Sequence, residues 1–102
     1  MSILVIGGSG FIGSRLCKRL SDKGIGFRII DKSESKFYPD RTVLADVREI
    51  ETLRDAVSPN AAIINLAAEH RDDVRPLSLY DDVNVGGAKH VCAVAREKEI
   101  KT

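Results

Sequence analysis

The residues best placed to do chemistry in this chain are the cluster Gly7-Gly8-Ser9-Gly10-Phe11-Ile12-Gly13 and one acid, Asp31, eighteen residues beyond it. A glycine-rich turn that opens a helix presents unpaired backbone N–H groups to an anion, and the positive end of the helix dipole adds to the attraction. In a dinucleotide site one glycine turns the chain out of a strand, the next lets the backbone approach a pyrophosphate, and the last lets the helix pack close to the sheet. Gly10 and Gly13 suit the second and third roles. The first falls to Gly7 (GxxGxxG) or Gly8 (GxGxxG), and spacing alone leaves both open. A carboxylate at Asp31 would accept hydrogen bonds from the adenosine ribose and disfavour a 2′-phosphate, so NAD is expected ahead of NADP. Lys32, whose ammonium could pair with that phosphate, keeps NADP in view. A P-loop shares the spacing from Gly8 to Gly13, but it needs Lys and then Ser or Thr where this chain has Ser14-Arg15.

Strands and helices must hold these groups, and the hydropathy pattern places them. Ser2 to Ile6 is almost wholly apolar, as in a strand covered on both faces. Phe11, Ile12, Leu16, Cys17 and Leu20 recur at helical spacing to about Lys23, and Gly24 follows as a C-terminal cap. Gly26 to Asp31 reads as a second strand, Lys32 to Asp40 as a polar loop, and Thr42 to Ala45 as a third strand ending at Asp46. Glu49 to Val57 forms a helix with Leu53, Ala56 and Val57 inward, stopped by Ser58-Pro59-Asn60. Ala61 to Leu66 is a fourth strand. A long helix then runs from about Leu79 to Lys98 with Tyr80, Val83, Ala88, Val91, Cys92 and Ala95 inward. Apolar strands alternating with helices predict one α/β domain over 1–102, a Rossmann-type parallel sheet in the order 3-2-1-4 with helices on both faces.

Composition narrows the function. With 16 Lys plus Arg against 15 Asp plus Glu and no charge block, nothing favours nucleic acid or a membrane surface. The longest apolar runs are far short of a membrane span, and Ile3 to Ile6 is too short for a secretion signal, so a cytoplasmic globular domain is expected. Cys17 and Cys92 lack a CxxC spacing and fall on helical apolar stripes, which predicts two reduced, buried thiols. His70 and His90 have no partners at metal-ligand spacing and are expected to be solvated or locally hydrogen-bonded, and no metal site is expected. Glu69-His70-Arg71-Asp72-Asp73 follows the fourth strand at the sheet end that faces a binding crevice, where Arg71 could meet a phosphate. An exposed loop is the plainer account.

The chain resembles the N-terminal part of an extended short-chain dehydrogenase/reductase of the NAD-dependent epimerase/dehydratase family. The resemblance is carried by Gly7 to Gly13, by Asp31, by Ala45-Asp46-Val47-Arg48, by Asn65-Leu66-Ala67-Ala68 and by Asn84-Val85-Gly86-Gly87, and it spans essentially all 102 residues. It implies that Phe11 and Ile12 accompany the glycines at the cofactor, that Asp46 and Val47 meet the adenine, and that Leu66, Ala67 and Ala68 line the cofactor. Helix capping is the alternative for Asp46, and ordinary packing for the two alanines. Asn65 departs mildly from the His of many members.

The family relies on a Tyr-x-x-x-Lys pair, in which an ammonium makes a phenol a usable base near neutral pH. Here Thr42 stands four residues past Tyr38 and Asn84 four past Tyr80. A fifth strand would begin at Glu99-Ile100-Lys101-Thr102. The chain is therefore expected to be the NAD-binding segment of a nucleotide-sugar epimerase, dehydratase or reductase, inactive alone, with no catalytic residue of its own. A non-catalytic NAD(P)-binding sensor is the alternative. With no fifth strand beside it, the fourth strand would be an open edge, which predicts self-association.

Overall fold

The computed structural model describes residues 2–59, 61–67 and 82–100. Four strands, β1 (Ser2–Ile6), β2 (Phe27–Asp31), β3 (Thr42–Leu44) and β4 (Ala61–Asn65), form one parallel sheet in the order β3-β2-β1-β4. Among the described residues three α-helices flank it: α1 (Phe11–Asp22), α2 (Ile50–Ala56) and α3 (Gly87–Glu97). The expected architecture and strand order are those found.

Side chains on a strand alternate between faces, and β1 shows why its sequence is apolar throughout. Leu4 and Ile6 join Ile30, Leu53, Val91 and Val94 in the core under α2 and α3. Val5 joins Cys17, Leu20, Phe27 and Ile29 in the core under α1. Register ties the three long strands together: Val5 sits beside Ile29 of β2 and Ile64 of β4. All the strands therefore end on one edge of the sheet, and the loops of interest leave from there. Among the described residues no helix is long and apolar enough to cross a membrane.

The helices differ from expectation in instructive ways. In α1 the inward residues are Gly13, Cys17 and Leu20, while Phe11 and Ile12 are 75% and 62% exposed. At about 100° per residue the first two positions of the helix point away from the stripe that Gly13, Cys17 and Leu20 define. The helix ends as expected: Gly24, with φ +68°, follows the capping residue Lys23, and its N–H donates to the Ser21 carbonyl at 3.0 Å.

The long final helix is not uniform. Asp82–Gly86 is π-helical and leads into α3. The buried line runs Val83, Gly87, Val91, Val94, the spacing of one helix face. Ala88 and Ala95 are half-buried, and Cys92 is exposed, which corrects the expectation of two buried thiols. Tyr80, and the segment from Glu69 to Asp73, lie outside the described residues.

The stretch from Lys32 to Asp40 is a built loop. Ser35, only 2% exposed, accepts hydrogen bonds on its hydroxyl from the Phe37 and Tyr38 N–H groups. Tyr38 packs edge-on against Phe27, ring centroids 5.3 Å apart.

Candidate functional site

The glycines divide the work that spacing left undivided. Gly7 leaves β1 with φ +82°, and a Cβ there would lie 2.7 Å from the Ala67 nitrogen and 2.8 Å from the Leu66 carbonyl carbon. Its N–H donates to the Ile30 carbonyl at 2.8 Å, so the turn is wedged between the ends of β2 and β4. Gly8 has no positive φ, which makes Gly7 the turn glycine. A Cβ on Gly13 would fall 2.5 Å from Gly8 Cα and 2.6 Å from the Gly7 oxygen, so only glycine lets α1 approach the loop this closely. At Gly10 a Cβ would meet the Gly7 oxygen at an ordinary 3.6 Å and nothing nearer. Space at Gly10 is therefore not needed for folding.

The first turn of α1 holds no acidic residue, and no side chain caps it. Its N–H groups and dipole are thus available to an anion approaching over Gly10.

Asp31, at the end of β2, faces this turn. Its Oδ2 accepts the Ser9 N–H at 3.0 Å and its Oδ1 accepts the Ser33 N–H at 3.3 Å. A third bond, from the Ser9 hydroxyl to the Ser33 carbonyl at 2.7 Å, closes the ring. A carboxylate has about four acceptor positions, so one on each oxygen remains. The sequence pattern does not single out Ser9 or Ser33, and its only hint is a serine inside a glycine turn.

Beside Asp31 a small cleft of about 70 Å³ is lined by Ile6, Ile30, Lys32, Ala45, Asp46, Val47 and, from the π-helical stretch, Val83. Four expected site residues, Asp31, Lys32, Asp46 and Val47, meet here. Asp46 is already engaged: Arg48 donates to it from its backbone N–H at 2.9 Å, from Nε to both oxygens at 3.1 Å and from Nη2 at 2.7 Å. These side-chain hydrogen bonds hold the Asp46 carboxyl below its ordinary range, against a smaller opposing effect of burial. Its side chain does not cap α2, whose first cap position is Glu49. Instead the Thr52 hydroxyl accepts the Asp46 N–H at 3.0 Å and fixes the turn.

A second, larger groove of about 500 Å³ runs on the other side of Ser9, between the start of α1 and the loop after β2. Phe11, Arg15, Ser33, Lys36 and Phe37 line it. The Arg15 guanidinium lies 4.5 Å above the Phe11 ring. Leu66 and Ala67 sit across from Gly7, where the Leu66 N–H donates to the Ile6 carbonyl at 2.7 Å. Ala68 lies outside the described residues. Among those residues no group of three His, Cys, Asp or Glu could hold a metal ion.

A glycine turn, an acid held opposite it and a cleft at the strand ends are brought together on one edge of the sheet. The model of the NAD dependent epimerase/dehydratase family matches residues 3–102. The chain belongs to this family.

One relative, the N-acetyl-alpha-D-glucosaminyl-diphospho-ditrans,octacis-undecaprenol 4-epimerase of Escherichia coli O157:H7, is 44% identical over 98% of the chain and 30% of its own length. Another, NADH dehydrogenase [ubiquinone] 1 alpha subcomplex subunit 9, mitochondrial, of Dictyostelium discoideum, is 30% identical over 93% of the chain and 29% of its own length. The fold matches the UDP-glucose 4-epimerase of Thermus thermophilus, solved with NAD, with a TM-score of 0.84 and 25% identity over 99% of the chain and 35% of that protein. This epimerase/dehydratase-family chain thus spans about a third of the length of the relatives it matches.

Proposed function

We propose that this chain is the NAD-binding part of a sugar epimerase whose substrates are sugars activated by a diphosphate, nucleotide sugars first among them. The observation that carries the reading is the Asp31 carboxylate, fixed opposite the open face of Gly10 and the first turn of α1. Gly10 and that first turn would take the pyrophosphate, with Gly7 and Gly13 shaping the backbone around it. Asp31 would accept the ribose hydroxyls. Val47, with Lys32 at the rim, would border the adenine, while the Asp46 carboxylate is largely occupied by Arg48. Leu66, Ala67 and Ala68 would line the path toward the nicotinamide, and the exposed Phe11 and Ile12 would lie over the cofactor. Bound NAD supplies a hydride acceptor and donor for a sugar carbon. The proton-transfer groups of such a reaction have no counterpart among these 102 residues, so turnover is assigned to a longer protein. The epimerases among the relatives support this reading.

Titration calorimetry of the chain with NAD, ADP-ribose and NADP tests it. Saturable one-to-one binding of NAD and ADP-ribose, weakened by Asp31→Ala, is expected. No binding of either, or tighter binding of NADP, would overturn the reading.

A second reading, a dinucleotide-binding subunit of a larger assembly, draws on the likeness to the NADH dehydrogenase subunit. An assay of the longer protein with UDP-sugars separates the two, since only the first predicts turnover. For the 102 residues on their own, self-association through β4 is part of the proposal. That strand pairs with β1 on one side, and among the described residues nothing pairs with the other. Sedimentation at micromolar concentration should show a dimer, shifted to monomer by Ile64→Lys, and a monomer throughout would exclude it.

A further inference from the structure

We propose that Ser9 sets cofactor selectivity indirectly, as the positioning residue that fixes Asp31. The inference rests on the NAD reading above and adds a determinant to it. Ser9 contributes twice to the ring around Asp31. Its N–H holds Oδ2, and its hydroxyl holds the carbonyl of the same Ser33 whose N–H holds Oδ1. The hydroxyl bond is the shortest of the three, at 2.7 Å, while the Ser33 N–H reaches Oδ1 at 3.3 Å. Lys32, Ser33 and Glu34 are all exposed, and the next buried anchor of the loop is Ser35. Ser33 therefore depends on Ser9 for its position, and the Asp31 carboxylate depends on both for its orientation.

That orientation matters because the surroundings do not repel a phosphate. Arg15 and Lys36, with one acid, Glu34, line the groove that Ser9 and Ser33 border, and Lys32 lines the cleft beside Asp31, where Asp46 is already paired with Arg48. Lys32, Arg15 and Lys36 outnumber Glu34 and the paired Asp46 in these two linings, so a 2′-phosphate would be accommodated if the Asp31 carboxylate could swing aside. Discrimination against NADP then comes from an acid that is held still, and the hydroxyl of Ser9 closes the hold.

Calorimetric affinities for NAD and NADP on the unmodified chain, Ser9→Ala and Ser9→Thr decide the matter. Loss of one such hydrogen bond is worth a few-fold to about tenfold in an equilibrium, so Ser9→Ala should lower the NAD-over-NADP ratio by about three- to tenfold. Ser9→Thr keeps a hydroxyl and should restore the ratio. A folding defect lowers both affinities alike and leaves the ratio unmoved, so the ratio reports positioning even if the variant is less stable. An unchanged ratio in Ser9→Ala, or a Ser9→Thr no better than Ser9→Ala, overturns the role of Ser9 while the NAD reading stands. An unmodified chain that binds neither cofactor, or prefers NADP, overturns the NAD reading itself.

Discussion

His90 of α3 places its Nδ1 2.7 Å from the carbonyl oxygen of Val47, a residue 43 positions earlier that lines the cleft beside Asp31. A carbonyl only accepts, so Nδ1 is the donor in this contact. One side chain thereby ties the last helix to the wall of the candidate adenine site. Removing it leaves a carbonyl unpaired on a residue that is 8% exposed. His90→Ala should cost about 1–2 kcal/mol in denaturant unfolding, and His90→Asn, which keeps a donor, should recover part of that.

The glycines should separate folding from binding. Gly13→Ala drives a Cβ into loop backbone at 2.5 Å and should cost about 3 kcal/mol or more. Gly24→Ala meets nothing within 4 Å but keeps φ +68°, so about 1 kcal/mol is expected from backbone conformation alone. Gly10→Ala should change stability by less than about 0.5 kcal/mol yet weaken NAD binding clearly. Melting curves and calorimetry on the three variants check the order.

The Asp46–Arg48 pair predicts a pH dependence of definite sign. The folded-state pKa of Asp46 is lowered, chiefly by the hydrogen bonds from Arg48. The pair's stabilisation is therefore fully present above the ordinary carboxylate value of 3.8 and is lost as pH falls through the lower folded value. Both side chains are partly exposed, at 19% for Asp46 and 39% for Arg48, so the effect should stay below about 1 kcal/mol. Arg48→Met should be less stable than the unmodified chain at pH 7, with the gap closing below pH 3.8. A gap that widens on acidification would contradict the assignment.

The two cysteines should react differently. Cys17 is fully buried and burial pushes its thiol pKa up, whereas Cys92 is exposed. Iodoacetamide at pH 8 should label Cys92 in the folded chain and Cys17 only in denaturant, as peptide mass mapping would show. Cys92→Ser should abolish native labelling.

The strands, the glycine turn and the acid at the end of β2 were legible because each is encoded locally, while the strand order came with the family resemblance. An apolar run of strand length, a glycine spacing and a distance along the chain carry them without tertiary information. What escaped reading depends on contacts across the fold. Ser9 gains its importance only because β2 returns beside β1 and brings Ser33 within reach. His90 finds Val47 only once α3 lies on α2 and the sheet. Cys92 follows the buried Val91 and stands about 100° round the helix from it, so it met the apolar period without lying on the face that meets the sheet. Phe11 and Ile12 met the apolar pattern as well as Leu20 did, but they stand in the first turn of α1, off the stripe that meets the sheet.

The placement of β1 between β2 and β4 has a consequence for how the chain is made. Of the four strands β1 emerges from the ribosome first, and its partner β2 follows soon after. Its other neighbour, in which Ala61 pairs with Ser2 and Asn65 with Ile6, is translated only after about sixty further residues. At about 5–20 residues per second that is a wait on the order of several seconds. For that interval one hydrogen-bonding side of Leu4, Val5 and Ile6 has no native partner, although these residues end as some of the most deeply buried in the molecule. The segment that finally opens onto the glycine turn is thus the one most exposed to mispairing and to chaperone capture during synthesis, and slowing translation after β2 should lower the soluble yield.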